Sequence, residues 1–146
     1  QMELGTFGAL IGFAIELEAS SADFYDRAKR ARPGGLAEET FARLAAQASK
    51  NKILLERTRR ENVAEMILEP IAGIGREDYI ADLTLANVAG IPEIISRALD
   101  LEDRAQRFYT VAAEKVSLPE VKRIFTRLAE KRAESSRAVL SLQSSS

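Results

Sequence analysis

The sequence predicts an all-α protein, a four-helix bundle of two repeated helix hairpins joined by a long crossover connection. Three observations carry this. Apolar residues recur at steps of three and four along four long segments, β-branched alternation is nearly absent, and one half of the chain repeats the other. With 146 residues, 46% of them hydrophobic and 29% charged, the chain has the size and composition of one folded domain with a sizeable core. Residues 1–146 are therefore read as a single domain, with a helix hairpin at 4–67, a connector at 68–91 and a second hairpin at 92–142.

The first helix is expected over 4–31, with its seam at Phe7, Ile11, Ala14, Glu18, Ser21, Tyr25 and Ala28. It stops at Arg32-Pro33-Gly34-Gly35, where two glycines can take the left-handed conformations of a helix end. The second, over 36–67, places Phe41, Leu44, Ala48, Asn51 and Leu55 on one stripe. Pro70, Gly73 and Gly75 then mark a connector with one short helix near Glu77–Leu83. Ile91-Pro92-Glu93 opens the third helix, 92–116, with its seam at Ile95, Ala98, Glu102, Ala105, Tyr109 and Ala112. Ser117-Leu118-Pro119-Glu120 opens the fourth, 118–142, with Ser117 as its cap and a seam at Val121, Phe125, Leu128, Arg132, Ser135, Val139 and Leu142. Each helix is on the order of 40 Å long. The Ser144-Ser145-Ser146 tail reads as frayed.

Five polar residues stand in these apolar stripes and need explaining: Glu18, Asn51, Glu102, Arg132 and Ser135. The repeat connects them. At an offset of 84, Ala14, Leu17, Glu18, Phe24, Tyr25 and Ala28 fall on Ala98, Leu101, Glu102, Phe108, Tyr109 and Ala112. The same offset carries Phe41, Arg43, Leu44 and Ala45 onto Phe125, Arg127, Leu128 and Ala129. A Glu-x6-Tyr pair thus occurs once in each half.

Composition narrows the chemistry. The chain has no histidine and no cysteine, which removes Ser-His and Cys-His catalysis, thiolate clusters, disulfides and every imidazole metal site. Lys and Arg number 21 against 22 Asp and Glu, a net charge of −1, so no nucleic-acid partner is expected. The basic runs Arg27-Lys29-Arg30-Arg32 and Arg57-Arg59-Arg60 are interleaved with Asp26, Glu56 and Glu61 and read as solvated helix faces. Leu4–Ile15 is too short to span a bilayer and lacks a basic leader, so neither a membrane nor a signal peptide is expected, and the setting is read as cytoplasmic.

The pattern Leu17-Glu18 with Phe24-Tyr25, Leu101-Glu102 with Phe108-Tyr109, and the Leu44-Ala45 and Leu128-Ala129 openings resembles the ferritin-like superfamily, most closely its rubrerythrin-like branch. The resemblance implies a ferritin-like four-helix bundle. In that family one Glu from each of two helices and a Glu-x-x-His from each of the other two hold a di-iron centre. Glu18 and Glu102 match the single-Glu metal positions, and Tyr25 and Tyr109 match residues that hydrogen-bond a buried carboxylate. The Glu-x-x-His slots hold Ala48 with Asn51 and Arg132 with Ser135, so four of six implied ligands are absent and the site is degenerate. The cysteines of a rubredoxin-like tail are also missing.

The expected replacement is charge for charge. Arg132 carries a permanent positive charge and five donors, enough to bind Glu18 and Glu102 together. Asn51, Ser135, Tyr25 and Tyr109 would complete a buried polar network. This reading makes the chain a non-catalytic scaffold, binding or assembly protein, with no cofactor, no catalytic residue and homodimers as the implied assembly. Gly5, Gly8 and Gly12 beside Leu10-Ile11-Phe13 are the expected dimer face. The competing readings are a residual carboxylate site for one weakly held divalent cation or for peroxide and iron handling, drawing on Glu130 or Glu134, and a small-ligand pocket lined by Ala48, Tyr25 and Tyr109. By register Glu130 and Glu134 point away from the seam.

Overall fold

A computed structural model describes residues 3–31, 34–66, 68–85 and 90–145. Four helices dominate it: α1 (Phe7–Ala31), α2 (Gly35–Met66), α3 (Ile91–Lys115) and α4 (Pro119–Ser145). Among the described residues there is no strand beyond two isolated bridges, Glu3 with Gly75 and Thr6 with Pro70. All four seams face inward, and every residue named on them is buried.

The helices pack as two hairpins, α1 along α2 and α3 along α4, while α2 touches α4 and α1 touches α3. Direction follows from side-chain pairing. Tyr25 reaches Glu102 and Tyr109 reaches Glu18, so α1 and α3 run antiparallel. α2 reverses direction after α1, so α2 and α3 point the same way and the chain must travel back along the bundle between them. It does so on the α1/α3 side. Residues 3–7 pair with 69–75 through Leu4 N to Ile74 O, Phe7 N to Glu69 O and Ile71 N to Gly5 O, each 2.9 Å. Arg76 meets Glu16 at 2.8 Å, and Arg27 donates to Leu83 O at 3.2 Å. From the other flank Arg104 donates to Asp78 O and Arg97 to Asp82 O. Arginine side chains thus satisfy backbone carbonyls of a segment that has little secondary structure of its own.

Those bonds explain where the connector departs from expectation. The helix anticipated near Glu77–Leu83 is a single 3-10 turn, Arg76–Tyr79, after which residues 80–85 are irregular. Asp82 accepts from Thr84 N at 3.0 Å, a local turn that competes with helix. At the N-terminus, Leu4 belongs to the pairing with Ile74, and α1 begins at Phe7 with the Thr6 hydroxyl accepting from Ala9 N at 3.1 Å. Gly34 and Gly35 take φ +111° and +64°, the left-handed turn expected of them; Arg32 and Pro33 lie outside the described residues. Ser117 does not cap α4: its hydroxyl donates to Glu69, tying the connector to the α3–α4 turn. The serine tail was expected to fray, yet α4 runs through Ser145, and Ser146 lies outside the described residues.

The anticipated dimer face also changes. Leu10, Ile11 and Phe13 are 0%, 0% and 4% exposed, so they belong to the subunit core and offer no apolar surface. No helix among the described residues is long and apolar enough to cross a membrane.

Candidate functional site

The centre of the bundle holds a polar cluster built from all four helices. Glu18 and Ser21 come from α1, Asn51 from α2, Glu102 from α3 and Arg132 from α4, each under 5% exposed. Heptad periodicity places these residues inside because each occupies a position on the otherwise largely apolar seam of its helix.

Arg132 sits between the two glutamates. Its Nη1 donates to both oxygens of Glu102 at 3.1 Å, and its Nη2 lies 3.0 Å from Glu18 Oε2. Nη2 also donates to Ser21 Oγ at 2.9 Å, and that hydroxyl donates in turn to Leu17 O at 2.7 Å. The tyrosines cross over between halves. Tyr25 of α1 donates to Glu102 Oε2 at 2.5 Å, and Tyr109 of α3 donates to Glu18 Oε2. Asn51 Nδ2 donates to Glu18 Oε1 at 3.2 Å and is itself oriented by Gln47, whose amide donates to Asn51 Oδ1 at 2.9 Å. Each tyrosine ring is backed by an aromatic one helix away: Tyr25 by Phe41 at 6.1 Å and Tyr109 by Phe125 at 6.0 Å between centroids. Phe41 and Phe125 are themselves related by the 84-residue offset.

The electrostatics follow from burial. Removal from water pushes the Glu102 carboxyl above its usual value, only partly opposed by the Arg132 charge and the Tyr25 hydroxyl. Both tyrosines are driven well above 10 by burial and by the carboxylates they face, so they remain neutral donors. Arg132 is held firmly charged: Glu102 and Glu18 outweigh the burial that opposes its charge. Two carboxylates share one guanidinium, so the cluster carries an excess acceptor that a proton on Glu102 can neutralise. Arg132 Nε is buried without an acceptor among the described residues, a cost that sets geometry rather than adding stability.

Six of the seven residues expected in this network are in it. Ser135 is the exception. Its hydroxyl donates back to Lys131 O of its own helix at 3.0 Å, so it lines the cluster without bonding to it. Two members were missed, Ser21 and Gln47. Ser21 lies on the same seam three residues after Glu18, a spacing that could have placed its hydroxyl beside the guanidinium. Gln47 precedes Asn51 by one turn, the ordinary reach for amide pairing along a helix.

The expected ligand pocket does not exist at this place. The space bordered by Tyr25, Ala48, Asn51, Glu102 and Arg132 is about 10 Å³, and Tyr109 is not on its wall. That is about the volume of one water molecule, too little for a small organic ligand. Glu130 and Glu134 are exposed, and Glu130 pairs with Arg127 at 3.4 Å. Among the described residues there is no group of three or more Asp and Glu side chains placed to hold a metal ion.

A solved structure similar to this chain is that of a hypothetical protein from Pyrococcus furiosus, 19% identical, with a TM-score of 0.70, covering 90% of this chain and 84% of that one. No family model matches the chain, and no curated protein sequence matches it. At that identity the likeness is one of fold, and it agrees with the architecture described above: an all-α four-helix bundle.

Proposed function

We propose that the chain is a ferritin-like bundle of the rubrerythrin type in which an ion-pair network stands where relatives hold metal, and that it acts as a non-catalytic scaffold, binding or assembly protein. One observation carries this reading: the Arg132 guanidinium lies within 3.1 Å of Glu18 and Glu102 at once. A di-iron pair does not fit these residues. Two dications need more anionic ligand than two carboxylates supply, and both carboxylates already accept from a guanidinium and a tyrosine. A guanidinium between them would also repel any cation placed there.

The test is a calorimetric titration of the purified chain with Fe²⁺ and Mn²⁺, joined to metal analysis of the protein as isolated. No saturable binding at micromolar metal is expected. One tightly held ion per chain, lost in Glu18→Gln or Glu102→Gln, would overturn the reading in favour of residual metal or peroxide handling. We propose also that two copies pair, as the resemblance implies. A Cβ built at Gly5 or Gly12 meets nothing within 4 Å, so neither glycine is required by packing inside the chain. Light scattering should give twice the 16.1 kDa chain mass, and a monomer would dismiss the dimer.

A further inference from the structure

A cavity of about 10 Å³ adjoins the buried network, between α2 and α4. Its position follows from the repeat. At the 84-residue offset Ala48 is the counterpart of Arg132, and the cavity lies against Ala48, whose methyl leaves on α2 the space that a long side chain fills on α4. Polar groups dominate the wall, where Leu44 and Ala48 are the only aliphatic residues. Gln47 and Lys131 are its half-buried members, so solvent has a way in past them.

Arg132, on the same wall, has one N–H left over. Nη1 is taken by Glu102 and Nη2 by Glu18 and Ser21, while Nε is buried and has no acceptor among the described residues. The side chain belongs to a residue only 4% exposed, so bulk solvent does not serve that donor from outside. A bond left unmade at a buried charged group is costly, and an occupant of the cavity must therefore accept one. It must also be neutral, because the guanidinium repels a cation and the two carboxylates repel an anion. The volume admits a single non-hydrogen atom with its protons. Those protons have acceptors on the same wall in Glu18 and Glu102. A cavity of this size with polar partners of both kinds meets the conditions under which buried water is held.

We infer that the cavity between α2 and α4 binds one water molecule, which accepts from Arg132 Nε and donates to the Glu18 and Glu102 carboxylates. The water completes the hydrogen bonding of the guanidinium and fixes the plane in which its fork meets both glutamates. It names the ligand of the cluster proposed above as an ion-pair network, and rests on that reading.

Two measurements test it. A high-resolution crystal structure of the whole chain should show one density peak at about 2.7–3.2 Å from Arg132 Nε. No peak, Nε bonded instead to a protein side chain, or a peak within about 2.5 Å of several oxygens, the contact of a metal ion, would overturn the inference. The second measurement compares Ala48→Thr with Ala48→Val. Both fill the cavity with the same shape and have similar helix propensities, but one brings a hydroxyl that can accept from Nε and the other a methyl that cannot. The urea midpoint of Ala48→Thr should exceed that of Ala48→Val by about 0.5 M. In a dry cavity the methyl is the better filler, so a midpoint for Ala48→Val equal to or above that of Ala48→Thr would also overturn it. If neither variant folds, the crystal structure of the parent decides. A chain that takes up no metal in the titration above and has a dry cavity loses the water alone, whereas an ion in the cluster removes both readings.

Discussion

The two halves of the molecule start from the same pattern and end with different duties. α1 and α3 contribute the same pair, one buried glutamate and one tyrosine seven residues later, each tyrosine serving the other half's glutamate, and α1 adds Ser21. α2 and α4 do not. Where α4 has Arg132, the 84-residue offset places Ala48 on α2, and where α2 has Asn51 bonded to Glu18, α4 has Ser135 bonded to itself. The lesson is geometric. Two anions near an approximate twofold axis can be served by one cation close to that axis, so a second arginine at position 48 would add charge with no carboxylate left to meet it.

The largest effect should come from removing that cation. Arg132→Ala leaves two buried carboxylates without a counter-ion and should cost about 3–5 kcal/mol in urea unfolding, a large share of a small domain's stability. Arg132→Lys should recover only part, since one ammonium cannot reproduce the fork. The approximate twofold makes a sharper demand: adding Ala48→Arg to Arg132→Ala should restore more than half of the lost stability. If the two substitutions simply add, the axis is not functionally symmetric.

Tyr25→Phe and Tyr109→Phe should each cost about 1.5–3 kcal/mol, the range for hydrogen bonds to charged groups. Tyr25→Phe should be worse, because Glu102 then keeps only Arg132, whereas Glu18 without Tyr109 keeps Arg132 and Asn51. Equal losses would show that Asn51 does not hold Glu18 in place.

Acidity tests the shared charge. Burial raises the Glu102 carboxyl, so the folded chain holds that proton more tightly than the unfolded chain does. The resulting stabilisation is complete below the unfolded value near 4.5 and is lost as pH rises through the folded one. The urea midpoint of the parent, relative to Glu102→Gln, should therefore fall over that window, and a difference rising with pH would show the sign to be wrong. Above pH 10 the raised tyrosines work the same way: the unfolded chain ionises first and stability drops. Ser135→Ala should be the mildest change, within about 0.5 kcal/mol, because its hydroxyl bonds only its own helix.

Much of this was readable from residue order. The four helices fall within three residues of their expected limits at every end, since capping, proline and glycine act locally. Phe41, Leu128 and the other seam residues are buried as their periodicity requires. The connector was read less well. Its conformation is imposed by Arg27, Arg97 and Arg104, which lie far from it in sequence and bond its carbonyls. Ser117 and Ser135 illustrate the same limit: a hydroxyl has several acceptors within reach, and only the packed neighbours decide among them.

Sequence by itself determined the helices, the inward stripes, the duplicated glutamate and tyrosine, and the lack of imidazole and thiolate ligands. These depend on short-range periodicity and on residue identity. The tertiary structure alone decided that the tyrosines cross between halves, and that Arg132 reaches both carboxylates while Ser21 steadies it. Such choices depend on how helices far apart in sequence meet, and at that distance the strength of a charge or a hydrogen bond is set by what packing excludes.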